Sequence, residues 1–152
     1  ASVRSGAYER TIAGLDGDIT VISKACPLFV PLVENGRFRP GDTVIETVAR
    51  EYLEPLRDTG IDTLIMGCTH YPLLAEVIGG IMGPDVTLVD SGAEAARSLK
   101  RQLTERELLA DRHGGEMTLY ASDRPEDFGA LAGMFLGQPL QGAVRPVDIE
   151  KY

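Results

Sequence analysis

A thiol, a hydroxyl and an imidazole occupy consecutive positions at Cys68, Thr69 and His70. A cysteine thiolate is a nucleophile or a base, and an imidazole two residues away can take or return its proton. The string Gly67-Cys68-Thr69-His70-Tyr71-Pro72-Leu73-Leu74 follows the apolar run Asp62-Thr63-Leu64-Ile65-Met66, which has the make-up of a buried strand. It precedes residues 75–82, which have the make-up of a helix. A strand handing over to a helix sets the intervening side chains at the carboxyl edge of a sheet, where open α/β sheets bind ligands. Pro72 suits a first helical turn, and a helix N-terminus would favour a thiolate at Cys68. The alternative for Cys68 is an inert core thiol, because free cysteine is among the most buried residue types.

The elements that must hold this turn are legible from period and capping. Residues 5–13 suggest a short helix, with Ser5 as N-cap and Gly14 as its stop. Ile19-Thr20-Val21-Ile22 is a β-branched run expected to form a strand. Pro27 and Pro31 exclude a long helix from Lys24 to Gly36, leaving a loop and one or two helical turns. Glu34 ends that apolar run, where an exposed carboxylate is the ordinary outcome, and Cys26 suits a buried structural thiol.

The clearest helix is 42–57, capped by Asp42. Val44, Ile45, Val48, Tyr52, Leu53 and Leu56 form its apolar face, and Gly60 lies beyond its end. Residues 85–89 read as a strand, and 90–94 open a helix in which Ser91 and Glu94 have capping-box spacing. That helix is expected to run to about Asp111, with Ala95, Leu99, Leu103 and Leu108 on its apolar face. His113 falls in a loop. A strand at 117–121, a helix from Ser122 to about Leu136 and a strand at 142–147 complete the chain. The alternation implies an α/β fold with right-handed crossovers and mostly parallel sheets flanked by helices.

Composition narrows the function classes. The 152 residues are 43% hydrophobic and 25% charged, a globular balance. Fifteen basic against 23 acidic side chains give a net charge of -8, which opposes a general nucleic-acid or anionic-membrane surface. Two cysteines make neither a metal-ligand cluster nor a disulfide framework, and suit reduced thiols of a cytoplasmic protein. No apolar run approaches the roughly 20 residues that span a bilayer, and no signal peptide is evident. The chain opens at Ala1-Ser2-Val3-Arg4 without an initiator Met, as the middle of a domain would.

Two strings together resemble the glutamate racemase family. Gly67-Cys68-Thr69-His70-Tyr71-Pro72-Leu73-Leu74 is similar to its second cysteine signature, and Ala25-Cys26-Pro27-Leu28-Phe29-Val30-Pro31-Leu32-Val33-Glu34 to its glutamate-bearing segment. The resemblance implies part of a pseudo-symmetric pair of α/β domains with one catalytic cysteine each and the site between them. Residues 1–91 would form most of the second domain, and 92–152 would return to complete the first. The family's first cysteine motif has no counterpart here, so a C-terminal fragment, inactive alone, is expected.

Racemisation without pyridoxal phosphate requires one thiolate to remove the α-proton and an opposed thiol to deliver another. By resemblance Cys68 is the base acting on L-glutamate and His70 assists its proton transfer. Thr69 would bind the substrate carboxylate and Glu34 the ammonium. No metal or organic cofactor is implied, and D-glutamate would supply peptidoglycan. The intact protein would be a cytoplasmic homodimer acting on a small-molecule substrate, with no nucleic-acid or membrane partner. Alternatives are a racemase of aspartate or another amino acid, and a non-catalytic protein-binding role such as DNA gyrase inhibition.

Overall fold

Two short helices, α1 (Ser2–Ser5) and α2 (Ala7–Leu15), lead the chain. They are separated by Gly6 at φ 61°, a left-handed conformation that glycine adopts without steric penalty. The computed structural model describes residues 2–111, 114–115, 117–140, 142 and 144–151. Gly6, not Ser5, therefore stands at the N-cap, and α2 runs through Gly14 to a C-cap at Asp16. The expected strand at Ile19–Ile22 is absent: the segment is irregular, and Ile19 and Ile22 are largely exposed. A β-branched run becomes a strand only when a neighbour completes its ladder, and no described strand pairs with it.

Helix α3 (Phe29–Glu34) follows, then α4 (Thr43–Arg57). Asp42 accepts a hydrogen bond from the Val44 N–H at 2.9 Å, the expected cap. Ile45, Ala49 and Leu53 are buried along the inner face of α4, with Val48, Tyr52 and Leu56 beside them; Val44, expected on that face, is exposed.

Strand β1 (Thr63–Met66) leads into a 3-10 turn (Tyr71–Leu74), helix α5 (Ala75–Met82) and strand β2 (Thr87–Asp90). β1 and β2 pair in parallel, Thr63 opposite Thr87 and Met66 opposite Asp90. Val77, Ile78, Ile81 and Met82 of α5 join Leu74, Met66 and the apolar faces of α3 and α4 in one core. Phe29 lies at its centre, its ring edge-on to Tyr52 at 5.4 Å and to Tyr71 at 5.3 Å.

Helix α6 (Ser91–Glu105) starts one position earlier than its capping-box spacing implies. Asp90 Oδ1 accepts from the N–H groups of Gly92 at 2.8 Å and Ala93 at 3.1 Å, so Asp90 is the cap; Glu94 pairs with Arg97. α6 stops at Glu105, short of Asp111, where Glu107 takes φ 56° and its N–H bonds the Thr104 carbonyl at 3.1 Å. Its expected apolar stripe is not core, since no α6 residue is buried and Leu99 and Leu108 are exposed.

Residues 1–103 and 104–152 form two compact units. In the second, β3 (Tyr120–Ala121), α7 (Pro125–Leu136) and β4 (Arg145–Pro146) make a second parallel β-α-β unit, Tyr120 opposite Arg145. Both strands are shorter than the expected 117–121 and 142–147 spans, and His113 and Ala143 lie outside the described residues. Among the described residues no helix is long and apolar enough to cross a membrane.

Cys26 is buried at 8% exposure, and burial pushes its thiol from 9.0 up to about 11. Because the folded chain holds this proton more tightly, the resulting stability is complete below pH 9.0 and lost as the pH rises through about 11. Burial likewise raises Tyr71 from 10.0 to about 12, with the same sign. The unfolding free energy is expected to fall across that alkaline window, by on the order of 2 kcal/mol from Cys26. Urea titrations at successive pH values should show a smaller fall for Cys26→Ala; an identical slope in both proteins would contradict the assignment.

Candidate active site

At the carboxyl end of β1 the chain leaves the sheet through Gly67 and turns at Cys68, where the Tyr71 N–H bonds the Cys68 carbonyl at 3.2 Å. A 3-10 turn thus separates the thiol from α5. The helical segment that follows Cys68 opens at Tyr71 as a 3-10 turn, with Pro72 second in it, and passes directly into α5 at Ala75.

Its partners are side chains. His70 Nδ1 lies 4.0 Å from Cys68 Sγ and 3.2 Å from Thr69 Oγ1. His70 Nε2 lies 3.2 Å from Glu34 Oε1, across the gap between the β1 turn and the last residue of α3. With the carboxylate accepting Nε2–H, a neutral ring is unprotonated at Nδ1, which faces Cys68 and Thr69 as an acceptor. The chain Glu34–His70–Cys68 can therefore take the thiol proton onto imidazole and stabilise the imidazolium against the carboxylate.

Exposure suits this chemistry. Cys68 is half-buried and Thr69 exposed, whereas the His70 side chain is 19% and that of Glu34 44% exposed. All four residues singled out in the sequence thus meet at one place. Cys26, by contrast, is buried with its Sγ 3.9 Å from the Lys24 carbonyl. Among the described residues no group of three or more His, Cys, Asp or Glu is placed to hold a metal ion.

Two neighbours carry no signal in the spacing of the chemical residues. Tyr71 Oη donates to the Cys26 carbonyl at 3.2 Å. Tyr8 of α2 lies over Gly67, so that a Cβ there would sit 2.9 Å from Tyr8 Oη and 3.2 Å from its Cζ. The absent side chain of Gly67 was the available sign of that approach. Gly67→Ala is expected to push the half-buried Tyr8 ring aside at a cost of no more than about 1 kcal/mol, because the approach lies at the surface rather than in the core. Thermal unfolding checks it, and Gly67→Ala with Tyr8→Ala should recover part of the loss.

Fold and site together define an α/β protein with a thiol–imidazole–carboxylate chain at the carboxyl edge of a parallel strand pair. No protein-family model matches the chain. It is 43% identical over 146 residues to the glutamate racemase of Desulforudis audaxviator, covering 91% of this chain and 52% of that protein. To the glutamate racemase of Mycobacterium ulcerans it is 45% identical over 150 residues, covering 97% and 54%. Its fold matches the crystal structure of Francisella tularensis glutamate racemase in complex with D-glutamate with a TM-score of 0.87 and 36% identity, covering all of this chain and 56% of that one. The Thermus thermophilus glutamate racemase structure, in complex with beta-chloro-D-alanine, gives 0.82 and 40%, with 55% of that chain covered. The chain is thus similar along nearly its whole length to glutamate racemases, and it spans about half the length of the curated relatives it matches.

Proposed function

We propose that this chain supplies one of the two proton-transfer thiols with which a glutamate racemase interconverts L- and D-glutamate. The observation that carries the reading is the Glu34–His70–Cys68 chain at the carboxyl end of β1, within a segment matched almost end to end by glutamate racemases. Cys68 removes the α-proton of L-glutamate as thiolate, or returns a proton as thiol in the reverse direction. His70 exchanges the thiol proton through Nδ1, and Glu34 holds the ring in the tautomer that is unprotonated at Nδ1. The exposed Thr69 hydroxyl is available to the substrate carboxylate. Neither a metal nor an organic cofactor has a step in this scheme, and the D-glutamate formed would serve peptidoglycan synthesis.

The opposing group is not Cys26. That thiol is buried and held protonated up to about 11, and it lies within the core rather than facing solvent. In this reading residues 1–91 make most of the Cys68 domain, 92–152 return to its counterpart, and the second thiol comes from a segment outside this sequence. The protein would act as a cytoplasmic enzyme. The test is a graft in which this chain replaces the matching 56% of the Francisella tularensis glutamate racemase. The graft is expected to interconvert glutamate enantiomers, followed by circular dichroism, and the 152 residues alone to give no net conversion. Racemisation by the isolated chain would overturn the two-thiol scheme.

A further inference from the structure

The turn that carries Cys68 and the segment that carries Glu34 meet through more than their acid–base contact. Tyr71 follows His70 directly, and its ring stands edge-on to Phe29 at 5.3 Å and 86°. Its hydroxyl donates to the Cys26 carbonyl at 3.2 Å, a bond across 45 positions of sequence. The same carbonyl accepts the Phe29 N–H at 3.2 Å, so both of its lone pairs are engaged. One of those donors is the first residue of α3, whose last residue is Glu34. A short helix moves as a unit, so fixing its first turn fixes where its last side chain arrives.

We propose that Tyr71 is a positioning residue of this site: its hydroxyl keys α3 to the Cys68 turn through the Cys26 carbonyl, and thereby brings the Glu34 carboxylate to His70. The inference rests on the reading of Glu34–His70–Cys68 as a proton-transfer chain. Burial keeps the phenol protonated up to about 12, so the key stays closed over the range in which a thiol and an imidazole exchange protons. The titratable groups around Tyr71 are Cys26, Cys68 and Tyr52, with His70 next in sequence and Glu34 beyond it.

Site-resolved alkylation of the 152-residue chain tests this. Iodoacetamide labelling of Cys68 is followed by peptide mass spectrometry across neutral and mildly alkaline pH, in the parent, Tyr71→Phe, Glu34→Gln and the double variant. Tyr71→Phe and Glu34→Gln are expected to displace the rate–pH profile of Cys68 in the same direction, with rates changed about 3-fold or more. The double variant should go no further than Glu34→Gln alone, the non-additivity of groups acting through one contact. Leu28→Ala alters the same segment at an exposed side chain without touching the hydroxyl, and should leave the profile in place. A shifted profile in Glu34→Gln but an unchanged one in Tyr71→Phe, or fully additive shifts, would overturn the inference and leave the site reading standing. Profiles unmoved by either substitution would overturn both.

Discussion

Phe29→Ala is expected to lower the unfolding free energy of the chain by about 3–5 kcal/mol, the cost of deleting a fully buried aromatic side chain. Phe29 is 1% exposed, and its two edge-on contacts, to Tyr52 and Tyr71, add aromatic attraction to the area it buries. It also joins three elements at once: α3 in which it sits, α4 through Tyr52 and the turn after β1 through Tyr71. No neighbour can close the space without moving one of them. A loss of that size is a large part of the 5–15 kcal/mol that holds a typical domain. The urea midpoint should drop sharply with little change in slope, while Leu28→Ala, at a side chain 48% exposed, should stay within about 0.5 kcal/mol. Equal midpoints for the two variants would show that the aromatic cluster is not the centre of the core.

Cys68→Ser in the grafted racemase is expected to reduce racemisation by about 10³-fold or more, the scale of a lost general acid–base group. Serine preserves the shape of the turn, but its hydroxyl holds its proton far more tightly than a thiol. The substitution therefore removes a base without opening a cavity. Cys26→Ser supplies the contrast, because it places a hydroxyl in a buried apolar setting. Its cost should fall on stability, and activity at a temperature where the protein stays folded should change little.

How much of this was legible in the sequence depended on whether local or distant partners decide each feature. α4 and its Asp42 cap could be read because helix period and capping act within a few residues. The apolar runs that became β1 and β2 were equally plain, and their parallel pairing followed from the helix between them. Ile19–Ile22 failed as a strand because its ladder depends on a neighbour that local sequence does not specify. Leu99 shows the same limit for helices: spacing marks a face but not what covers it. Among Asp90, Ser91 and Glu94 several residues could cap, and only the backbone direction chose Asp90. The four side chains of the site could be named from their types and from the resemblance of two strings. That Glu34 would meet His70, with Tyr71 and the Cys26 carbonyl holding the two segments together, is a matter of long-range packing that spacing does not encode.

The most direct measurement is solvent deuterium incorporation at the glutamate α-carbon, read by proton NMR in D2O with the grafted racemase and its Cys68→Ser variant. The expected result is loss of the α-proton signal as the enantiomers interconvert, with both processes falling together by about 10³-fold in the variant. Interconversion without deuterium uptake, or uptake and interconversion unchanged by Cys68→Ser, would contradict proton transfer by Cys68.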